Sequence, residues 1–407
     1  MTVTTTRESL RDSLVDLRRA LHREPETGLR LPRTQEKVLS ALAGLPVEVS
    51  TGRALDSVTA VVRGGRPGPA VLLRADMDAL PVAEETGHPF ASAVPGVAHA
   101  CGHDMHMAAL VGAARLLAGE RDSRHGDVVL MFQPGEEGYG GARLMLEEGV
   151  LEAAGQRVVA AYALHVVSAL LPAGVAATRG GAVLAAADVL RISVTGTGGH
   201  GSAPHLARDP VSAACGMVTA LQGLVAQRSD PFDPVTLNIG VFHAGTRHNI
   251  IPERAEFEVS LRSFSRGSIT RVRDVIQRTV AGIADAHEVS VAVEHESIYP
   301  VTINDPVEVE FARGVARSVL GPERVVALPH PFAASEDFSL VLDEVPGAYL
   351  FLGACPRGTN PATAPVNHSG RAAFDDAVLP DAAAMLARLA ERRLESVRQD
   401  ASAPATA

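Results

Sequence analysis

Leu10, Leu14, Leu17 and Leu21 fall three or four positions apart, which predicts an amphipathic helix over residues 9–22. Glu24-Pro25-Glu26-Thr27-Gly28 ends it, and a second helix is expected over 33–42. The period then changes. Ala60-Val61-Val62 and Ala70-Val71-Leu72-Leu73 read as strands on either side of the turn-forming Gly64-Gly65-Arg66-Pro67-Gly68-Pro69. A helix follows over 108–118. Val128-Val129-Leu130-Met131-Phe132 has no polar position, the pattern of a central parallel strand covered on both faces. A second apolar run, over 158–164, ends at His165.

From Asp188 the pattern alternates, as in a half-buried strand over 188–194. A helix over 210–227, strands over 235–242 and 255–264, a helix over 269–286 and a strand over 289–296 complete the series. The order β-α-β-β-α-β is that of a ferredoxin-like unit. A helix over 306–319, a strand over 348–352, the polar loop Asn367-His368-Ser369-Gly370 and a helix over 380–397 then resume the first pattern. The expected fold is therefore α/β: a catalytic domain with a mostly parallel central sheet, interrupted by a ferredoxin-like α+β domain. The first domain takes residues 1–184 and 299–400, the insertion 185–298, and a disordered tail 401–407.

Composition narrows the class. A length of 407 residues exceeds the usual span of one hydrophobic core. Hydrophobic content of 46% with 21% charged residues is ordinary for a globular protein. No run reaches the roughly 18 apolar residues of a membrane helix, and Met1 to Glu8 lacks the apolar core of a signal peptide. Three cysteines, at 101, 215 and 355, suit a reducing cytosol better than a disulfide framework, so the expected location is cytoplasmic. A net charge of −10 without basic clusters argues against nucleic acid or membrane as a partner.

Candidate chemistry gathers at the strand ends. His99-Ala100-Cys101-Gly102-His103-Asp104-Met105-His106 supplies a thiol and three imidazoles, ligands for a borderline-soft divalent metal. Alone, it fits a His-rich loop equally well. Asp76 and Asp78 follow one apolar run, Glu136 and Glu137 follow another, and His165 closes a third. Acidic residues beyond the carboxyl ends of buried strands lie where open α/β sheets place their sites. Adjacent carboxylates repel unless given different tasks, and a cation on one with a reacting water on the other resolves the conflict.

These segments resemble the M20 peptidases, and most closely the branch of hippurate hydrolases, N-acyl-amino-acid amidohydrolases and auxin-conjugate hydrolases. The resemblance rests on Arg74-Ala75-Asp76-Met77-Asp78-Ala79-Leu80-Pro81, Ala100-Cys101-Gly102-His103-Asp104 and Gln133-Pro134-Gly135-Glu136-Glu137-Gly138. It extends to Leu21-His22-Arg23-Glu24-Pro25-Glu26, Gly198 to His205, Asn249-Ile250-Ile251-Pro252, Ser335-Glu336-Asp337-Phe338 and His368-Ser369. It implies two divalent metal ions (zinc, manganese, cobalt or nickel) bridged by Cys101, with His103 and His165 on one and Glu137 and His368 on the other. Asp78 would orient a ligand, and Glu136 would be the general base that passes a proton from water to the leaving amine.

The same resemblance gives His200 an oxyanion-stabilising role across a homodimer interface, and Asn249 and Arg262 contacts to the substrate or its carboxylate. The inserted domain would then serve as both lid and dimer interface. The implied reaction is hydrolysis of the amide of an N-acyl or N-aroyl amino acid. A dipeptidase or carbamoylase on the same scaffold, and a non-catalytic metal-binding protein, are the alternatives. Val166-Val167-Ser168 after His165, Gly370 after Ser369, and Ala373 depart from the family pattern, which bears on pocket shape.

Overall fold

In the computed structural model residues 7–402 are described, with side chains over 8–399. Residues 1–6 and 403–407 lie outside them, whereas residues 401–402 of the expected disordered tail continue the helix Leu379–Ser402. The N-terminal leucine repeat forms α1 (Arg7–Arg23), and Leu10, Leu14 and Leu21 are buried. Helix α2 (Pro32–Leu42) starts on a proline, whose missing N–H costs nothing in the first turn. Two compact units emerge: Met1–Gly181 with Ile303–Pro329 and Leu340–Ala407, and Ala182–Thr302 with His330–Ser339.

The first unit holds a mixed sheet. Its strands include β1 (Glu48–Thr51), β2 (Val58–Val62), β3 (Arg66–Asp76), β4 (His125–Gln133), β5 (Ala160–Pro172) and β6 (Ala176–Thr178). With Val325–Ala327 and Gly347–Cys355 they form eight strands in the order β1, β2, β4, β3, β5, Gly347–Cys355, β6, Val325–Ala327. The central four, from β4 to Gly347–Cys355, are parallel. Strand β4 runs between β2 and β3, so these two are not neighbours despite being consecutive. Helix α3 (His103–Gly119) is buried from His103 through Ala114, as expected of a helix apolar on all sides. It packs on α1, on β3 and on the terminal helix Leu379–Ser402, within one continuous hydrophobic core.

Two boundaries matter for chemistry. Helix α3 begins at His103, five residues before the apolar pattern starts. His165 lies inside β5 and not at its end, because residues 165–167 continue the parallel pairing with Phe351, Leu352 and Gly353.

The second unit is the β-α-β-β-α-β arrangement. Its antiparallel sheet runs Val235–Ala244, Arg254–Ser263, Ala186–Thr195, Ser290–Tyr299. Helices Pro210–Arg228 and Arg266–Ala286 pack together and cover one face, where Leu190, Ile192, Phe257, Leu261, Met217 and Ile276 form the core. Asp209 and Ser265 cap the two helices, each side chain accepting a bond from a backbone N–H in the first turn. Residues 330–339 cluster with this unit, outside the expected 185–298 span. No helix among the described residues is long and apolar enough to cross a membrane.

Candidate active site

The site of the first unit is built on one tight turn. Gly102 takes φ +89°, and a Cβ there would lie 2.5 Å from the Val166 Cγ2 atom. Only glycine is at ease in that conformation and space. The turn presents Cys101 and His103 on the same side, at the start of α3. His103 donates from Nδ1 to the Asp78 carbonyl oxygen at 2.8 Å, which leaves the Nε2 lone pair facing the cluster. His165 donates from Nδ1 to the Val166 carbonyl at 2.8 Å, and its Nε2 lies 3.4 Å from Cys101 Sγ. His368 Nε2 stands 3.2 Å from Glu137 Oε1.

Two triads result. Ligand atoms of Cys101, His103 and His165 lie within 4.8 Å of one another, and so do those of Cys101, Glu137 and His368. Cys101 belongs to both. His103 Nε2 is buried without a hydrogen-bond partner and faces, at 3.9 Å, the buried Glu137 Oε1 that His368 also approaches. Buried polar atoms are rarely left unpaired, so a cation between them is the natural complement. The donor set of thiol, imidazole and carboxylate fits that reading.

Asp78 belongs to neither triad, but its Oδ1 lies 3.7 Å from His103 Nδ1. Its two carboxylate oxygens accept the backbone N–H groups of Glu136 and Glu137, each at 3.0 Å. One carboxylate thereby fixes the turn that carries the acidic pair. Glu136 is buried, with Oε2 4.0 Å from His103 Nε2.

The electrostatics match. Burial disfavours a charge on His103, but Asp76 and Cys101 together hold its pKa well above the ordinary imidazole value. Contacts with Cys101 and Glu137 push His368 up to about 10. Burial and the neighbouring His106 push His165 down. The negative field that draws protons to His103 and His368 would draw a cation equally.

A supporting network was less visible in the sequence. Asp76 is fully buried, and accepts from Arg74 and from His106 Nδ1, both at 2.5 Å. His106 Nε2 in turn accepts the Val166 N–H at 2.8 Å, so this ring must carry its proton on Nδ1. Although Asp76, His103 and His106 lie close enough to hold an ion, Asp76 and His106 are already engaged. On the far side of His103, Asp104 is buried between Arg18 and His22, both at 2.7 Å.

The remaining candidates stand in the second unit. His200, on the short strand Gly199–His200, pairs opposite Ile250, and the Gly201 N–H donates to the Asn249 carbonyl at 2.9 Å. The Ser202 N–H donates to His200 Nδ1 at 3.1 Å, so the neutral ring carries its proton on Nε2. Arg262 is half-buried on its strand and donates to Ser335 Oγ at 2.8 Å.

A model of peptidase family M20/M25/M40 matches residues 72–392. Thermostable carboxypeptidase 1 of Saccharolobus solfataricus is 38% identical over 374 residues, covering 91% of this chain and 92% of that one. Hippurate hydrolase of Campylobacter jejuni is 34% identical over 382 residues, 93% of this chain and 96% of its own. A Bacillus subtilis structure, described as a dinuclear metal binding peptidase of family M20, superimposes with TM-score 0.82. It is 30% identical and covers 95% of this chain and 99% of its own.

Proposed function

The chain belongs to peptidase family M20/M25/M40, a family of metal-dependent hydrolases, and from that premise we propose a two-metal amidohydrolase acting on N-acyl or N-aroyl amino acids. Its products are a carboxylic acid and a free amino acid. The observation that carries the reading is the pair of ligand triads sharing Cys101, beside a second buried carboxylate, Glu136.

Cys101, His103 and His165 would hold one ion, and Cys101, Glu137 and His368 the other. When bound, such ions supply Lewis-acid polarisation of the amide carbonyl and acidify water. Glu136 is the general base: its carboxylate takes the proton of the attacking water and delivers it to the departing nitrogen. Asp78 holds Glu136 and Glu137 in register through their backbone amides, so that the two neighbouring carboxylates keep separate tasks. In the second unit, His200 donates from Nε2 to the developing oxyanion of a partner copy, the tautomer that the Ser202 amide favours. Asn249 and Arg262 bind the substrate, Arg262 by donating to the substrate's carboxylate. A homodimer with the second unit as lid and interface follows from that role of His200.

A second reading, in which the acyl group is itself an amino acid or peptide, draws support from the relative named as a carboxypeptidase. Both reactions free an amino acid bearing an α-carboxylate. One assay separates them: metal-stripped protein, reloaded with zinc, manganese, cobalt or nickel, is offered hippurate, N-acetyl amino acids, auxin conjugates, N-carbamoyl amino acids and dipeptides. Metal-restored cleavage is expected on the acyl and aroyl substrates. Glu136→Gln should lower kcat by about 10²–10⁴ while metal still binds. Full activity in Glu136→Gln would remove the general base, and turnover confined to dipeptides would establish the second reading.

A further inference from the structure

Asn367, the residue before His368, makes contacts that none of the roles above requires. Its Nδ2 donates to the Cys101 carbonyl and to the Val166 carbonyl, each at 3.0 Å, and lies 3.9 Å from Cys101 Sγ. Its Oδ1 accepts the Ser168 N–H at 2.9 Å and the Ser168 hydroxyl at 3.0 Å. The orientation of the carboxamide is not arbitrary. Two partners are carbonyl oxygens, which only accept, and one is a backbone N–H, which only donates, so a flipped amide would set like against like at three of its contacts.

Those contacts reach each ligand-bearing segment in a different way. The Val166 carbonyl that Asn367 engages also receives His165 Nδ1–H at 2.8 Å. That shared acceptor fixes the ring so that Nε2 turns toward Cys101. The Cys101 carbonyl belongs to the residue common to both triads, and the same loop is held again by the His368 N–H donating to the Ala100 carbonyl at 2.9 Å. His368 itself takes φ +72°, a left-handed conformation that non-glycine residues adopt only when their surroundings fix it.

We propose that Asn367 is a positioning residue whose carboxamide pre-assembles Cys101, His165 and His368 at one point and directs an N–H toward the shared sulfur. The inference rests on reading those three residues as metal ligands, and it concerns how the apex is built and not which substrate is cleaved. Because the geometry exists before any ion arrives, its loss weakens binding itself. An N–H near a thiolate also withdraws charge from sulfur, so its loss moves the sulfur-to-cobalt charge-transfer band of cobalt-loaded protein to lower energy.

The test uses the full chain, folded and metal-free, titrated with cobalt and with zinc against a chromophoric chelator. Asn367→Ala and Asn367→Asp, the latter placing an acceptor against two carbonyls, are expected to bind at least about tenfold more weakly, with a red-shifted band. Ser168→Ala leaves both Asn367 donors in place and is expected to stay within about threefold of wild type. Cys101→Ser, which abolishes the band if Cys101 is a ligand, tells failure of the ligand reading apart from failure of this one. Wild-type affinity and an unmoved band in a folded Asn367 variant would overturn the proposal. Should neither variant fold, Asn367→Ser takes their place, with the same weaker binding and red-shifted band expected and wild-type values of both again overturning the proposal.

Discussion

His22 offers a prediction whose size can be worked from its surroundings. The ring is 3% exposed and lies between two carboxylates, Asp104 at 2.7 Å from Nδ1 and Glu84 at 3.2 Å from Nε2. Both partners only accept, so the doubly protonated ring satisfies them together. Burial pulls the pKa down, but Asp104 and Glu84 outweigh it and raise it from 6.5 to about 9. A folded-state pKa above the unfolded one stabilises fully below pH 6.5, and the contribution is lost as pH rises through 9. That rise corresponds to about 3 kcal/mol. His22→Gln removes the charge, while Arg18 keeps Asp104 ionised in the variant.

The assay is urea unfolding of metal-free protein from pH 6 to 9.5, with chelator present. The chain has no tryptophan, and of its 4 tyrosines only Tyr299 falls in the second unit, so tyrosine fluorescence reports mainly on the unit containing His22. The stability gap between wild type and His22→Gln should narrow by about 3 kcal/mol across that range. Slopes from the metal-ligand residues are common to both proteins and cancel in the difference. Parallel curves would refute the argument, since they would mean that the fold leaves the affinity of His22 for a proton unchanged.

Other consequences follow from single contacts. Asp78→Asn puts an amide N–H against the backbone N–H of Glu136 or Glu137, and should cost about 10–100-fold in metal affinity or kcat/KM; unchanged values in both would show that the turn holds without its carboxylate. Gly370→Ala would set a Cβ 2.2 Å from the Ala83 carbonyl oxygen, so about 1–3 kcal/mol of stability should be lost, read by chemical denaturation, with weaker metal binding through the adjoining His368 loop. A fully stable Gly370→Ala would mean that the two loops separate freely.

Much of the architecture was legible because hydrophobic periodicity is local. The apolar run of β4, the leucine repeat of α1 and the alternation in the second unit each declare themselves within about ten residues. The strands outside this pattern have no such signal. Glu48–Thr51 is exposed at all four positions, and Ala176–Thr178 and Val325–Ala327 have three residues each, held by their neighbours in the sheet. The start of α3 was hidden for a different reason. His103-Asp104-Met105-His106 looks like a polar loop, yet all four are buried, because Asp104 meets Arg18 and His106 meets Asp76.

The same cause separates the visible part of the site from the invisible part. Cysteine and clustered histidines are rare enough to stand out, and so are two glutamates after an apolar strand. Their supports are common residue types whose roles depend on distant partners. Arg18 sits among polar neighbours on an amphipathic helix and reads as solvent-facing, but it is fully buried against Asp104, 86 positions away. Asn367 reaches Cys101 across 266 positions. No periodicity encodes such a pairing, since each half is an ordinary surface residue until the fold delivers the other. Removing one half of a buried polar pair leaves the other unsatisfied, at about 1–3 kcal/mol or more for a charged group. The largest mutational effects outside the ligand set are therefore expected at positions such as Arg18, His22 and Asn367, where the sequence by itself gives least warning.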